Sequence, residues 1–376
     1  MNVLVTGGTG FVGTALCSEL AERGHDVTAL ARSPEDTDQS AGAGAGLPDA
    51  VGTCAGDVTD FDSIEGAFAG RDAVVNLVAL SPLFEPAGGT ARHFDVHLGG
   101  TENVVRAAEA AGVDRVVQVS ALGADPDGPT AYVRAKGAAE AVVRESDVEG
   151  VVVRPSVVFG DGGEFLPFTE LLTTPYVTAL PGGGKTRFQP VWVSDLAPML
   201  AEAVEGDDHA GETYEVGGPE VLTLADVARA VYRAGGRSLR VVPVPMGADQ
   251  YRSLRFDNTV EDNDAGTLER PPASLRTLGD YLHASTGGSG SGSRAAERPT
   301  GGNPSASDGR RSLFVAGPVL AVFFFLTAAW SLQYVVDVYV HPVVRWTFAV
   351  PYAVTLVLFD NGVTEAPVYA LDGHLP

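Results

Sequence analysis

Apolar runs of strand length alternate with segments of helical periodicity through the first half of the chain. Val3-Leu4-Val5, Asp26 to Ala31, Ala73 to Ala79 and Asp114 to Ser120 are short and rich in β-branched residues. Thr14 to Glu22, Thr101 to Ala111 and Ala131 to Ser146 carry apolar residues at the spacing of one helix face. Strands alternating with helices predict right-handed βαβ units, and so an α/β fold with a doubly wound parallel sheet covered on both faces. In such a sheet a ligand sits at the carboxyl ends of the strands.

The pattern changes after Arg154. Between 156 and 283 the alternation thins and Pro-rich turns appear, which predicts a small substrate subdomain with segments returning to the first core. Residues 284–311 are dominated by Gly, Ser and other small or polar residues, and no core can form from them. Leu313 to Val336 is then uncharged over 24 residues, long enough to cross a bilayer as a transmembrane segment. Val343 to Phe359 is a second apolar stretch, interrupted by Arg345 and Pro351, and reads as a short span or an interfacial segment. The predicted organisation is therefore 1–155 nucleotide domain, 156–283 subdomain, 284–311 linker, 312–359 one or two spans, and 360–376 acidic tail. Arg294, Arg298, Arg310 and Arg311 precede the first span. By the positive-inside rule they place the folded domain at the cell membrane on its cytoplasmic side. The first strand begins at Asn2, which leaves no stretch to read as a signal peptide.

The chemistry begins between the first strand and the first helix. Thr6-Gly7-Gly8-Thr9-Gly10-Phe11-Val12-Gly13 puts three spaced glycines at a strand-to-helix turn. A pyrophosphate can approach such a backbone closely and rest on the helix N-terminal N–H groups. The second strand ends in Ala31-Arg32 with no carboxylate at its tip. Arg32 there suits a ribose 2′-phosphate, so NADP(H) is the expected cofactor, with NAD the alternative. Asp57, in Gly56-Asp57-Val58-Thr59-Asp60, is placed to border the adenine; the structural alternative is a turn aspartate.

The chain has 25 basic residues, of which only Lys136 and Lys185 are lysines. Tyr132 and Lys136 are four apart on one helix and share a face. Lys136 is expected to lower the Tyr132 pKa, so that the phenol can serve as a general acid, and to hold the ribose. Lys185 lies in Gly182-Gly-Gly-Lys-Thr186, but Ala179 stands where a phosphate-binding loop requires glycine, and no apolar strand leads in. His93 and His97 are spaced to share a helical face, but no third ligand is evident and Phe94 follows the first histidine, so no metal is expected. Cys17 and Cys54 read as small core residues of a reducing compartment. A net charge of −23 excludes a nucleic-acid surface as a default, and its dispersed carboxylates have the composition of a halophilic protein.

These residues resemble the short-chain dehydrogenase/reductase superfamily, in its extended or atypical, epimerase/dehydratase-like branch. The likeness covers about residues 1–283 and rests on Thr6 to Gly13, Gly56 to Asp60, Tyr132-x-x-x-Lys136, Val153-Arg154-Pro155-Ser156-Val-Val-Phe-Gly160 and Phe188 to Ala197. Val119-Ser120-Ala-Leu-Gly-Ala followed by Tyr-x-Arg-x-Lys-Gly is similar to the nucleotide-binding accessory subunit group of respiratory complex I. The resemblance implies a Rossmann domain. It implies Tyr132, Lys136 and Ser120 as catalytic residues. It implies cofactor contacts at Thr6, Gly7, Gly8, Thr9, Gly10, Phe11, Val12, Gly13, Arg32, Asp57, Val58, Leu77, Val78, Ala79, Lys136, Pro155 and Val157. Two departures stand out. Ser120 precedes Tyr132 by only twelve residues, about half the separation usual in extended enzymes, and His97 replaces the group's usual Asn.

The expected function is a membrane-anchored NAD(P)H-binding protein. It either reduces a quinone-like or lipid-like carbonyl compound or carries nucleotide within a respiratory complex. A sugar-nucleotide epimerase or dehydratase, and a non-catalytic NADPH-sensing module, are the alternatives. Its expected partners are the nicotinamide dinucleotide, the lipid bilayer and a membrane quinone or respiratory assembly.

Overall fold

A computed structural model describes residues 1–33, 46–83, 86–244 and 256–287. Seven parallel strands form its centre: β1 (Asn2–Thr6), β2 (Asp26–Ala31), β3 (Gly52–Ala55), β4 (Ala73–Asn76), β5 (Arg115–Val119), β6 (Glu149–Pro155) and β11 (Thr213–Val216). Their spatial order is β3-β2-β1-β4-β5-β6-β11. The chain thus winds outward from β1 in one direction and then from β4 in the other, and the crevice between them is the switch point of a doubly wound sheet.

Helix α1 (Phe11–Glu22) covers one face of the sheet together with α5 (Val193–Glu205). Leu16, Cys17 and Leu20 of α1 and Leu196, Met199 and Leu200 of α5 lie in one core with Val3, Val5 and Val75. Helices α2 (Gly100–Ala111) and α3 (Ala131–Glu145) pack against each other. Val104, Ala107 and Ala108 of α2 share the second core with Leu4, Val74 and Val116. Strand side chains alternate between these cores, which is why the runs are apolar at every position rather than at every second one. Cys17 is buried in the first core and Cys54 is half-buried, as core thiols should be.

The sequence-predicted elements shift in three places. Helix α1 starts at Phe11, one turn before the expected Thr14, so Gly13 lies inside it. A π-helical segment, Phe94–Gly99, runs directly into α2. The wider π turn is not signalled by hydrophobic period and often marks a functional position. The last described helix, α7 (Leu278–Gly287), continues four residues into the predicted linker.

The residues between β6 and α7 add three small two-stranded sheets. They pair β7 (Val158–Phe159) with β10 (Val191–Trp192), β9 (Arg187–Phe188) with β12 (Leu222–Thr223), and β8 (Tyr176–Pro181) with β13 (Leu239–Val244). Helices α4 (Phe165–Leu171) and α6 (Leu224–Ala234) accompany them. Phe159, Phe165, Val227, Leu278 and Tyr281 form the core of this part. Gly182, Gly183 and Gly184 sit at positive φ in the turn from β8 to β9. A strand follows them, not a helix, so this turn has no helix N-terminus to offer a phosphate.

Among the described residues no helix is long and apolar enough to cross a membrane. The predicted spans at 312–359, the linker beyond 287 and the tail at 360–376 lie outside the described residues.

Candidate functional site: a dinucleotide turn facing a tyrosine–histidine cluster

The glycine turn leaves β1 at the switch point, and each of its glycines is needed for a different reason. Gly7 has φ +74° and its N–H donates to Leu30 O at 2.8 Å, tying the turn to β2. A Cβ on Gly8 would lie 2.6 Å from Ala29 Cβ, and one on Gly13 would lie 2.2 Å from Gly7 O. These two therefore permit close packing of the turn on β2 and of α1 on the turn. Gly10 differs. It has an ordinary extended backbone, φ −78° and ψ 179°, and a Cβ there would meet only Gly7 O, at 3.2 Å. Gly10 is also the N-cap of α1, with no side-chain cap and no acidic residue in the first turn. The first-turn N–H groups thus have no intrahelical partner and no protein anion beside them. This open cradle at a helix N-terminus fits a pyrophosphate, so the residues present fit a nicotinamide dinucleotide.

Leu77, Val78 and Ala79 follow β4 on the far side of the crevice. A Cβ on Gly7 would touch Val78 N and Cγ2 at 3.3 Å, so this segment walls the turn. Arg32 is exposed where β2 ends. Partial burial pushes the Asp57 carboxyl up, but Thr59 and the nearby charges of Arg32 and Arg92 outweigh it and hold the group below its ordinary range. Asp57 Oδ1 accepts from Thr59 N at 2.9 Å and from Thr59 Oγ1 at 2.8 Å, so that oxygen belongs to a turn.

Several predicted contacts are committed elsewhere. Thr6 Oγ1 donates to Asn76 Oδ1 at 2.7 Å, and Asn76 Nδ2 donates to Gln118 Oε1 at 2.9 Å. Thr6, Asn76 and Gln118 are in register across β1, β4 and β5, and this buried chain occupies the Thr6 hydroxyl. Val58 is buried under Gly100, and its carbonyl accepts from Asn103 Nδ2 at 2.8 Å. The Val157 N–H donates to Asn258 Oδ1 at 2.9 Å, while Pro155 O accepts from Leu122 N at 3.3 Å. Asn258 also receives Ser156 Oγ, so one side chain pins the loop after β6. Phe11 turns its ring onto the 160–163 turn: a Cβ on Gly163 would lie 2.8 Å from Phe11 Cζ.

The Tyr132–Lys136 pair lies on α3, whose first turn is capped by Thr130 Oγ1 accepting from Val133 N. Lys136 is buried, and Nζ donates to Val119 O at 2.8 Å. Burial lowers its pKa to about 8, partly opposed by Glu140 one turn on. The expected lowering of the Tyr132 pKa is not found: burial pushes the phenol up to about 12. The ammonium faces a backbone carbonyl and Glu140, and its charge is not what sets the phenol. Ser120 is buried at the end of β5 close to Glu140, whose carboxylate it helps stabilise, but Ser120 Oγ makes no hydrogen bond of good geometry.

Two groups that the sequence reading weighed for other roles sit around Tyr132. The His93 and His97 rings stack with centroids 5.6 Å apart and an interplanar angle of 9°. Each presents an edge-to-face contact to Tyr132, at 5.6 Å and 5.3 Å. Both histidines are buried. The i to i+4 spacing carried this signal, but the partner ring could only come from tertiary structure. Glu140 was not anticipated at all. It is fully buried and takes Arg154 Nε at 2.8 Å and Nη2 at 2.7 Å, together with Arg144 Nη2 at 2.7 Å.

At the opposite edge of the sheet, where the strands begin, an open depression is bordered by Met1, Glu109, Asp114, Arg115, Glu149 and Asp207. It holds none of the predicted chemistry.

Comparison with known proteins agrees with this geometry. A model of NAD(P)H-binding proteins matches residues 7–166. The chain is 34% identical over 288 residues to the mitochondrial NADH dehydrogenase (ubiquinone) 1 alpha subcomplex subunit 9 of Arabidopsis thaliana, covering 69% of this chain and 71% of that one. It is 31% identical over 267 residues to a 3 beta-hydroxysteroid dehydrogenase/Delta 5-->4-isomerase of Mycobacterium tuberculosis, covering 62% and 70%. The Thermus thermophilus UDP-glucose 4-epimerase, solved in complex with NAD, shares the fold with a TM-score of 0.59 at 23% identity, over 76% of this chain and 98% of that one.

Proposed function

The chain belongs to the NAD(P)-binding short-chain dehydrogenase/reductase superfamily, and from that premise we propose that it is a membrane-tethered NADPH-dependent oxidoreductase acting on a carbonyl group of an apolar, lipid-like or quinone-like compound. The observation that carries the reading is the placement of the open Gly10 cradle and of Tyr132 and Lys136 at the carboxyl edge of one sheet.

A bound nicotinamide dinucleotide supplies hydride at its C4. The α1 N-terminus holds the pyrophosphate, and Asp57 borders the adenine with the carboxylate oxygen that Thr59 leaves free. Arg32 meets the 2′-phosphate, and Lys136 reaches the ribose. Tyr132 gives its proton to the developing oxyanion. Burial pushes the Tyr132 pKa up to about 12, so the phenol is protonated near neutral pH and enters the reductive step with a proton to give. The apolar stretch from Leu313 to Val336 is the anchor, and it keeps the site near a membrane-borne substrate.

A second reading is a nucleotide-holding subunit of a membrane respiratory assembly. It is favoured by the likeness to the plant complex subunit and by Lys136 Nζ being bonded to Val119 O.

Titration of the full-length protein in detergent tests the first reading. NADPH should bind more tightly than NADH by about 1.5–3 kcal/mol, the worth of a charge-assisted phosphate contact, and Arg32→Ala should abolish the difference. Equal affinities in the parent protein would remove the NADPH preference. The anchor is tested separately. Full-length protein should stay with membranes through carbonate washing, and protein ending at His283 should be released; retention of the short form would place membrane binding on the folded domain instead.

A further inference from the structure

His97 carries the least satisfied polar atoms near the site. Its side chain is 2% exposed, and neither Nδ1 nor Nε2 has a hydrogen-bond partner among the described residues. Every neutral imidazole has one N–H and one acceptor nitrogen. Both are therefore buried and unpaired here, an arrangement that costs free energy unless something outside the chain meets it. Burial, with the Lys136 and His93 charges adding to it, lowers the His97 pKa to about 2, so the ring is neutral at any working pH. The π-helical segment carries this ring, and its edge-to-face contact at 5.3 Å sets it against the Tyr132 ring. Ser120, the expected second donor, is instead beside Glu140.

We propose that neutral His97 is a catalytic residue: its ring N–H is the second hydrogen-bond donor, with the Tyr132 hydroxyl, to the oxygen of a ketone substrate. This rests on the reductase reading above. In the step, hydride from the reduced nicotinamide forms the new C–H bond, and the carbonyl π pair moves onto oxygen. The Tyr132 proton forms the O–H bond and leaves a phenolate. The ketone becomes an alcohol, the dinucleotide is oxidised, and His97 keeps its proton throughout. His93, the residue just before the segment, stacks on His97 with its ring centroid 5.6 Å away and fixes its plane. A preorganised donor of this kind is worth about 100- to 1000-fold in rate.

The test uses the full-length protein with NADPH and two ketone probes, androstenedione and ethyl acetoacetate. With NADP+ bound, either probe should move the His97 imidazole nitrogen resonances of protein labelled with nitrogen-15 histidine. His97→Phe should leave NADPH affinity within about threefold and lower the reduction rate at saturating nucleotide about 100-fold. His97→Asn, which retains an N–H donor, should recover part of the rate and guards against loss of folding in the Phe variant. If the parent reduces a probe and His97→Phe does so equally well, the assignment to His97 is overturned while the reductase reading stands. If the parent reduces neither probe but a probe still shifts the His97 signals, the reductase reading fails and His97 remains a ligand-oxygen donor. If no probe moves His97, the assignment falls whatever the turnover.

Discussion

Two buried polar clusters lie about two helical turns apart on α3, and they are finished to different degrees. Around Glu140 every strong group is paired: the carboxylate receives Arg154 at both oxygens and Arg144 at one, and Arg154 reaches on to Glu215 and to Ala124 O. Around Tyr132 the hydrogen-bonding groups are exceptions. His93 Nδ1 and both His97 nitrogens are buried without partners. A protein interior seldom leaves such atoms unmet, because each one costs about 1–3 kcal/mol. The completed cluster is architecture, fixing α3 to β6 and β11. The incomplete one is where the proposed ligand would find donors and acceptors left open.

The strongest way to break this comparison is to remove the centre of the completed cluster. Glu140→Leu leaves Arg154 partly buried with only Glu215 for a carboxylate partner and removes the anion that supports the Lys136 charge. The expected loss is about 3–5 kcal/mol of unfolding free energy, measured by urea denaturation. His97→Phe should cost far less, since it deletes atoms that already lack partners. Should Glu140→Leu cost under about 1 kcal/mol, the completed cluster would not be structural, and the contrast would collapse.

The glycine turn offers the same contrast at smaller scale. Gly13→Ala forces a Cβ to within 2.2 Å of Gly7 O, a backbone atom that cannot step aside. It should destabilise the fold by about 1–3 kcal/mol. Gly10→Ala meets no such obstacle and has a backbone that alanine adopts freely. Its stability should change by under about 1 kcal/mol, because reduced freedom of the unfolded chain offsets slight crowding. Its affinity for NADPH should nevertheless fall at least about tenfold, since the methyl group fills the cradle. A Gly10→Ala protein that bound NADPH like the parent would show that the ligand does not use that space.

The same distinction explains what the sequence could reveal. Alternating strands and helices, and the glycine turn with its neighbours in the chain, are local patterns, and the switch point between β1 and β4 follows from them by topology. The 2–6, 26–31 and 131–145 elements agree with their expected bounds to within a residue or so. What needed tertiary structure was any pairing across long separations. Strand β11 enters the main sheet from within the subdomain, and Asn258 pins the loop after β6 from about a hundred residues away. The Lys136 spacing was legible; the direction of its ammonium, toward Val119 O and away from lowering the Tyr132 pKa, was not. His97 stood out by its spacing, but its chemistry depends on burial and on missing partners, which no spacing encodes.

Lys136 sits between the two clusters, and its titration sharpens the boundary. In the folded protein its pKa is about 8, against 10.5 for the free side chain, because burial disfavours the charged form. Between those values the unfolded chain binds more protons than the folded one, so unfolding free energy rises with pH there. The penalty is fully present below about pH 8 and is relieved as pH climbs toward 10. The slope from one such group is at most about 1.4 kcal/mol per pH unit. Tyr132 acts in the other direction, since its pKa is raised to about 12: the unfolded phenol ionises first, and stability is lost as pH rises above 10. Cys17 acts like Tyr132 but from lower pH, since burial pushes its thiol from 9.0 up to about 12. Stability of the parent should therefore climb from about pH 8, level off above about 9 where the thiol opposes the lysine, and turn down above 10. Lys136→Met keeps most of the side chain's length and removes the titrating amine, so it should flatten the climb and leave the downturn. Tyr132→Phe should remove its share of the downturn and leave the climb. If the Lys136→Met profile kept the full rise, some other buried base would be titrating, and Lys136 would belong with the paired groups around Glu140 and not with the unfinished site.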